Sequence, residues 1–367
     1  MSDNIISLPS FPCNDDVWTT LANETRPIVV YGMGNGADKL LDRFSKYGIE
    51  VSDFFASNGF VRGHSFRGFR VKSFSEIKEQ YESFVIVISF ASRRNDVIEI
   101  FEELNRNYEV YVPDMPVAKV DEYFDKDFYN LHYNEITEAY SSLRDDYSKN
   151  VFASIVKYKL TAKLDFLLSH TVEAEDIYSL LDCGSIRHAI DAGAYNGDTA
   201  IEMKRFFNSL ESIIAIEPDK KNFAKLVRYS EAENDITISC INAAVWCECT
   251  ELTFNTSGNR NSTISASASY QSRSECIKAI SLDSLSEGKI DYVKYDVEGA
   301  ESEALVGSHQ LILRDRPSLL VSLYHRSRDI FEIINELKKK YPFYSFYLRR
   351  IRCVPAWEID LIATVRN

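Results

Sequence analysis

Short apolar runs and amphipathic stretches alternate along most of this chain. Runs at 28–31, 51–56, 84–90 and 109–112 are almost continuously apolar. That is the pattern of strands buried on both faces, as in a parallel sheet, and not of strands with one wet face. Between them, 37–47, 75–81 and 95–107 carry apolar residues at three- and four-residue spacing, which predicts helices. Residues 27–116 therefore read as a small α/β unit. Residues 1–26, with Pro9, Pro12 and many polar positions, read as an irregular lead-in. Residues 117–184 are rich in Tyr, Leu, Asp and Lys. From 120 to 181 they lack Gly and Pro and place Phe152, Ile155, Val156 and Leu160 at helical spacing, so this stretch reads as a helical connector.

From 185 to 367 a second strand–helix alternation runs to the end, and its closing part restricts the topology. A strand at 318–324 and a helix at 329–340 are followed by strands at 343–349 and 358–365 with only a loop between them. Parallel neighbours need a long crossover, so two strands joined by a short loop are antiparallel. A mostly parallel sheet closed by one antiparallel hairpin is expected, an ending that a plain dinucleotide-binding sheet lacks.

Composition narrows the classes of function. A length of 367 residues suits two domains with a connector. The net charge of -13 repels phosphate backbones, and apart from Lys338 to Lys340 there is no concentrated basic run, so nucleic acid is not an expected partner. The longest apolar stretch, 84–91, is too short to span a bilayer. With no charged-then-apolar leader and seven scattered cysteines in no zinc spacing, the sequence points to reduced, mostly buried thiols and a cytoplasmic protein. It leaves room for a homo-oligomer.

Two glycine motifs each follow a strand and open a helix. The first, Gly32-Met33-Gly34-Asn35-Gly36-Ala37, has the form that rests a phosphate on helix N–H groups. Its natural acid, Asp53, lies inside the next strand and not at its end, where Ser57 and Asn58 stand. A tight turn with no ligand is an equal reading. Residues 63–71 loosely resemble loops in Rossmann-like domains of sugar-modifying enzymes, which implies a nucleotide-sugar or partner-binding module and not a redox site.

The second motif, Asp191-Ala192-Gly193-Ala194-Tyr195-Asn196-Gly197-Asp198-Thr199, is acidic. Gly193 is expected to let a ligand approach the backbone and Gly197 to ease entry into the helix, which Asp198 or Thr199 would cap. Acids here would repel a pyrophosphate but suit S-adenosylmethionine, which carries an ammonium and a sulfonium and no phosphate. A second strand then ends in Glu217-Pro218-Asp219, placing Glu217 to accept both hydroxyls of a ribose.

The motif at 191–198, Ile216-Glu217-Pro218-Asp219, Leu282-Asp283-Ser284-Leu285 and Val293-Lys294-Tyr295-Asp296-Val297-Glu298-Gly299-Ala300-Glu301 together resemble the FkbM family of methyltransferases over about 186–367. The ending Ser322-Leu323-Tyr324-His325, Asp329 and Tyr347-Leu348-Arg349 is similar to a subgroup with an added N-terminal domain. Arg350, where a His is expected, and the last strand around Asp360 depart from that subgroup on the substrate side. The resemblance implies a class I methyltransferase Rossmann-like fold behind a smaller N-terminal Rossmann-like α/β domain. It implies S-adenosylmethionine against Asp191, Gly193, Ala194, Tyr195, Asn196, Gly197, Asp198, Thr199, Glu217, Pro218, Asn242 and Asp296. It also implies methylation of a sugar hydroxyl in a glycan or nucleotide-sugar precursor.

A sugar hydroxyl is barely acidic and needs a base. Strand ends at the carboxyl edge of the sheet face the ligand crevice. His325, at one such end, is the expected general base, with Asp296 or Glu298 orienting it or binding a substrate hydroxyl. Arg260, Asn261, Tyr324 and Arg349 are expected to meet the substrate, 254–270 being a polar loop over the site. No metal is expected, although Asp296, Glu298 and His325 are ligand types. Three other readings remain: a nucleotide-sugar-binding scaffold with a degenerate methyltransferase half, an oxidoreductase using Gly32 to Ala37, and an RNA ribose methyltransferase built on Lys294, Asp296 and Glu298.

Overall fold

The computed structural model describes residues 5–61, 63, 65–116, 122–255, 263–265, 274–285 and 288–365. Two main sheets organise it, and only their strands are labelled here. The N-terminal sheet holds β1 (Ile28–Tyr31), β2 (Asp53–Ala56), β3 (Lys72–Ser73), β4 (Val85–Ile88) and β5 (Glu109–Tyr111), all parallel, in the order β3-β2-β1-β4-β5. The buried runs put every residue of β1, β2 and β4 inside. Strand β2 is shorter than expected because its ladder with β1 begins only at Asp53.

The C-terminal sheet holds β6 (His188–Ala192), β7 (Ser212–Ile216), β8 (Thr237–Ile241), β9 (Tyr292–Tyr295), β10 (Ser318–Ser322), β11 (Ser345–Arg350) and β12 (Ile359–Thr364). Their order is β8-β7-β6-β9-β10-β12-β11, and β12 alone runs antiparallel to its neighbours β10 and β11. Beyond this sheet, Ala244–Val245, Thr250–Asn255, Thr263–Ser265 and Ser274–Ile280 form a small four-stranded sheet. The stretch expected to be a loop from 254 to 270 is therefore partly strand. Its serines and threonines suit a hairpin without giving the apolar signal of a buried strand. Arg260 and Asn261 lie outside the described residues.

Helices from Lys126–Leu131 to Ala174–Tyr178 link the sheets. The longest, Asp146–Thr161, is capped by Asp145, which accepts from the Ser148 N–H at 2.7 Å. It is buried along most of its length and packs against β11. One apolar cluster runs from Val29 and Ile86 through Phe152 and Leu164 to Val293, Val321 and Leu361, so both sheets share a core. The loops also join directly, Ser92 and Val354 exchanging backbone bonds of 2.7 and 3.0 Å.

Two expectations are corrected, and one of two open readings gains a physical basis. The lead-in contains a helix, Val17–Ala22, capped by Asp16 and anchored by a buried Trp18; six residues are too few to display a period. The seven cysteines form no disulfide, but only Cys353 is buried, while Cys249 and Cys276 are exposed. The first glycine motif has a packing explanation. A Cβ on Gly32 would lie 2.5 Å from the Phe90 ring, and one on Gly36 would lie 2.0 Å from the Ser89 carbonyl oxygen. Asp53, the acid a ribose would need, is taken up by Lys72 at 2.7 Å and Tyr81 at 2.6 Å. No helix of the described residues is long and apolar enough to cross a membrane.

Candidate active site

A cavity of about 490 Å³ opens at the carboxyl edge of the C-terminal sheet. Strand order explains its place: β6 connects to one side of the sheet and β9 continues on the other, so the loops after them diverge and leave a crevice. Gly193, Tyr195, Asp198, Thr199, Glu217, Pro218, Asp296, Glu298 and Tyr324 line it, as the sequence suggested.

Gly193 has a different reason from the one expected. At φ +93° its missing Cβ would sit 1.9 Å from the Asp296 carbonyl oxygen, so the glycine lets two strand ends close on each other before any ligand arrives. Gly197, at φ +95°, is itself the N-cap of Asp198–Phe206, and neither Asp198 nor Thr199 caps that helix. Asp198 occupies its first turn, where a negative charge faces the positive end of the helix dipole.

Glu217 is 6 % exposed and held at both oxygens, by the Tyr195 N–H at 2.9 Å and the Asp219 N–H at 2.8 Å. Each oxygen keeps a further lone pair for a ligand hydroxyl. Burial, with Asp219 and Asp191 adding, pushes its carboxyl up to about 8 against those N–H bonds. Asn242 supports this turn from outside, its amide donating to the carbonyls of Glu217 and Pro218, and it does not line the cavity. Asp191 is fully buried behind the crevice and is pushed up to about 7 by burial. Ala194, Asn196 and Gly197 belong to the same turn and do not line the cavity.

The other half of the cavity is where expectation and structure part. His325 is 1 % exposed and does not line the cavity. Its Nδ1 lies 2.9 Å from Glu301 Oε1, while its Nε2 lies 3.5 Å from Asp296 Oδ1 and 3.7 Å from Glu298 Oε2. Burial opposes a charge on the ring, but Glu301, then Asp296 and Glu298, outweigh it and hold the imidazole up to about 10. An imidazolium at neutral pH has no lone pair with which to take a proton, so this geometry does not suit the expected base. Asp296, Glu301 and His325 each bring a potential metal-ligand atom within 4.8 Å of the others. The two carboxylates face opposite nitrogens of the ring, an arrangement better matched to a bridging imidazolium than to donors converging on one ion.

Arg349 is also displaced from its expected role. Alternation along β11 turns it to the helix side, where it donates to Asp145 at 2.7 Å and Ser148 at 2.8 Å, away from the cavity.

Sequence reasoning gave no role to several residues that do line the cavity, Arg93, Glu202, Trp357, Glu358 and Asp360, although it set the strand around Asp360 on the substrate side, and it noticed Lys294 only for another chemistry. Lys294 donates to Thr199 at 3.1 Å and lies 3.4 Å from Asp296. Burial works against its charge, but Asp296, Asp191, Asp360 and Asp198 prevail and keep it protonated. For Lys294 and Asp360 a signal was present, a charge set in an otherwise apolar strand. Arg93 had none, since it reaches the cavity from the loop after β4 of the other sheet and pairs with Glu358.

The strand order, the antiparallel β12 and a glycine turn facing a strand-end acid define a class I methyltransferase architecture. Residues 191–343 match the methyltransferase FkbM domain. The fold extends over the whole molecule in the crystal structure of methyltransferase FkbM from Methylobacillus flagellatus KT. That structure is 18 % identical, covers 99 % of this chain and 95 % of that one, and superposes with a TM-score of 0.71. About half of the chain also overlaps a putative methyltransferase from Streptococcus mutans in complex with S-adenosylhomocysteine, with 11 % identity, 53 % and 99 % coverage and a TM-score of 0.35. Fibrillarin from Aeropyrum pernix, with bound S-adenosylmethionine, overlaps at 13 % identity, 52 % and 74 % coverage and a TM-score of 0.34. No curated protein matches the chain.

Proposed function

We propose that this protein transfers a methyl group from S-adenosylmethionine to a hydroxyl of a neutral sugar or glycan acceptor. The observation that carries the reading is the charge of the cavity wall. Asp198, Glu202, Asp219, Asp296, Glu298 and Asp360 line it, with Glu217 held ready by two N–H groups. The cations among them are already engaged: Arg93 with Glu358, Arg205 with Glu175, and Lys294 with Asp296. Such a wall attracts a sulfonium and an ammonium and repels phosphate. The same charge weighs against RNA and against an acceptor whose phosphates would enter the cavity.

The residues that fit the cofactor are Glu217 for its ribose and the turn from Gly193 to Thr199 beside it. When bound, the cofactor supplies a methyl group on a good leaving group, so the protein's tasks are alignment and proton removal. Lys294 and His325, both held protonated, fix the carboxylate of Asp296 between them, and the Tyr324 hydroxyl donates to it at 3.1 Å. Asp296 is thereby a rigid acceptor for a substrate hydroxyl.

The test has two parts. Calorimetry is expected to show S-adenosylhomocysteine binding that Glu217→Ala abolishes. Mass spectrometry of neutral sugars, short glycans and nucleotide sugars incubated with labelled donor is expected to show label on a neutral acceptor. Binding without any labelled product would favour the scaffold reading.

A further inference from the structure

Methyl transfer to a hydroxyl needs a group to take its proton, and the expected base, His325, is buried and already protonated. We propose that Asp360 is the general base, accepting the proton of the acceptor hydroxyl from its place in the cavity wall; this rests on the reading of the site as an O-methyltransferase.

Placement comes first. Because β12 runs antiparallel to β10, its beginning lies at the edge where the parallel strands end, and Asp360 sits opposite Ser322, the last residue of β10. Its side chain is therefore at the mouth of the crevice and lines the cavity, yet Asp360 is only 7 % exposed. A proton acceptor must reach substrate and be shielded from bulk water, and this position provides both.

The second argument is elimination among the carboxylates around it. Asp296 is held by Tyr324, Lys294 and the His325 ring, which stabilise its charge, keep its carboxyl below the usual range and make it a poor base. Glu358 is paired with Arg93. Glu217 is committed to two N–H groups on the cofactor side. Asp360 receives, among the described residues, one long hydrogen bond, from Ser322 Oγ at 3.5 Å. It is less restrained than Asp296, Glu358 or Glu217.

The groups facing it tune it consistently. Burial raises its carboxyl, Asp296 and Glu202 add to this, and Lys294 and Arg93 oppose it, leaving it at about 7. The phenols of Tyr178, Tyr292 and Tyr324 also lie within its field and stay neutral. A base matched to neutral pH is ionised often enough to act and still basic enough to hold a proton. In the step itself, a lone pair of the acceptor oxygen forms the new C–O bond as the S–CH₃ bond breaks and its electron pair stays on sulfur. The O–H bond breaks toward Asp360, which becomes a carboxylic acid and then loses the proton to water.

The test uses the full chain with the acceptor found in the labelling panel. Asp360→Asn is expected to keep S-adenosylhomocysteine affinity and acceptor KM within about threefold and to lose about 10²–10³-fold in kcat. The acid limb of the wild-type kcat profile near neutral pH should disappear with it. Asp360→Ala should regain turnover with added formate, and the infrared carboxyl intensity that titrates near neutral pH should fall in Asp360→Asn to the share that Asp191 and Glu217 carry. Unchanged kcat, a persisting acid limb or undiminished carboxyl intensity in Asp360→Asn would overturn the assignment. If Asp360→Asn fails to fold, formate rescue of Asp360→Ala decides. A wild type that binds S-adenosylhomocysteine but labels no acceptor would instead refute the O-methyltransferase reading, so the two failures are distinguishable.

Discussion

On the proposed reading, Glu217 should make the affinity for S-adenosylhomocysteine depend on pH by an amount that can be calculated. With its carboxyl at about 8, it is mostly protonated at pH 7 in the free protein. Accepting two ribose hydroxyls while holding two N–H groups requires the carboxylate, so binding at pH 7 must expel a proton. The fraction ionised rises from about one-tenth at pH 7 to about three-quarters at pH 8.5, and the affinity for S-adenosylhomocysteine should tighten by about eightfold, or ~1.2 kcal/mol. Calorimetry across this range, in buffers of different ionisation heat, would report both the slope and the released proton. Asp191, at about 7, titrates in the same window but lies behind the cavity. Glu217→Gln separates the two, because it should bind weakly and lose the slope while Asp191 remains. The same carboxyl acts on folding with the opposite sign. The folded state binds this proton more tightly than the unfolded one, whose carboxyl titrates near 4.5, so its contribution to stability declines as pH rises from there towards 8. A wild-type affinity that does not change with pH, or a slope that survives in Glu217→Gln, would refute the reasoning.

Further outcomes follow from the packing. Gly193→Ala should destabilise the protein by about 1–3 kcal/mol in urea titration, since its Cβ would overlap the Asp296 carbonyl; Gly34→Ala, with no atom within 4 Å, should cost less despite a φ of +111°. Arg93→Ala should leave S-adenosylhomocysteine affinity unchanged and raise the acceptor KM by about tenfold, because it removes a charged donor from the acceptor wall and leaves Glu358 unpaired. Arg350 is 1 % exposed and donates to the carbonyl of Leu167 and to those of Cys353 and Pro355, the latter two in the segment that leads into the Trp357–Asp360 wall. Arg350→Ala should cost about 2–4 kcal/mol by thermal melting, stranding those carbonyls, and should lower turnover as well.

The sequence carried the regular elements and the cofactor side well. The helices at 95–107 and 329–340 and the strand at 28–31 appear with the bounds that apolar spacing suggested, because each buries one continuous face or run. The placing of Glu217 beside the glycine turn was legible because a strand-end acid and the turn of the preceding strand meet at one sheet edge. The acceptor side was less so. Arg93 and Glu358 meet across 265 positions of chain, a pairing no local pattern contains. His325 stood at the right strand end, yet its chemistry depends on Glu301, in the helix after β9, and on complete burial. Arg349 was misplaced for a similar reason: its partners Asp145 and Ser148 lie 204 and 201 positions away, in the connector.

Strand β12 carries a consequence for how the molecule comes into being. It is made after every other strand of its sheet, yet it belongs in the interior, between β10 and β11. A nascent chain therefore waits with two unpaired backbone edges facing each other across a gap, the kind of surface that chaperones shield and aggregates exploit. Only when that gap is filled does Asp360 arrive, so a prematurely folded molecule could hold its cofactor well before it could modify anything.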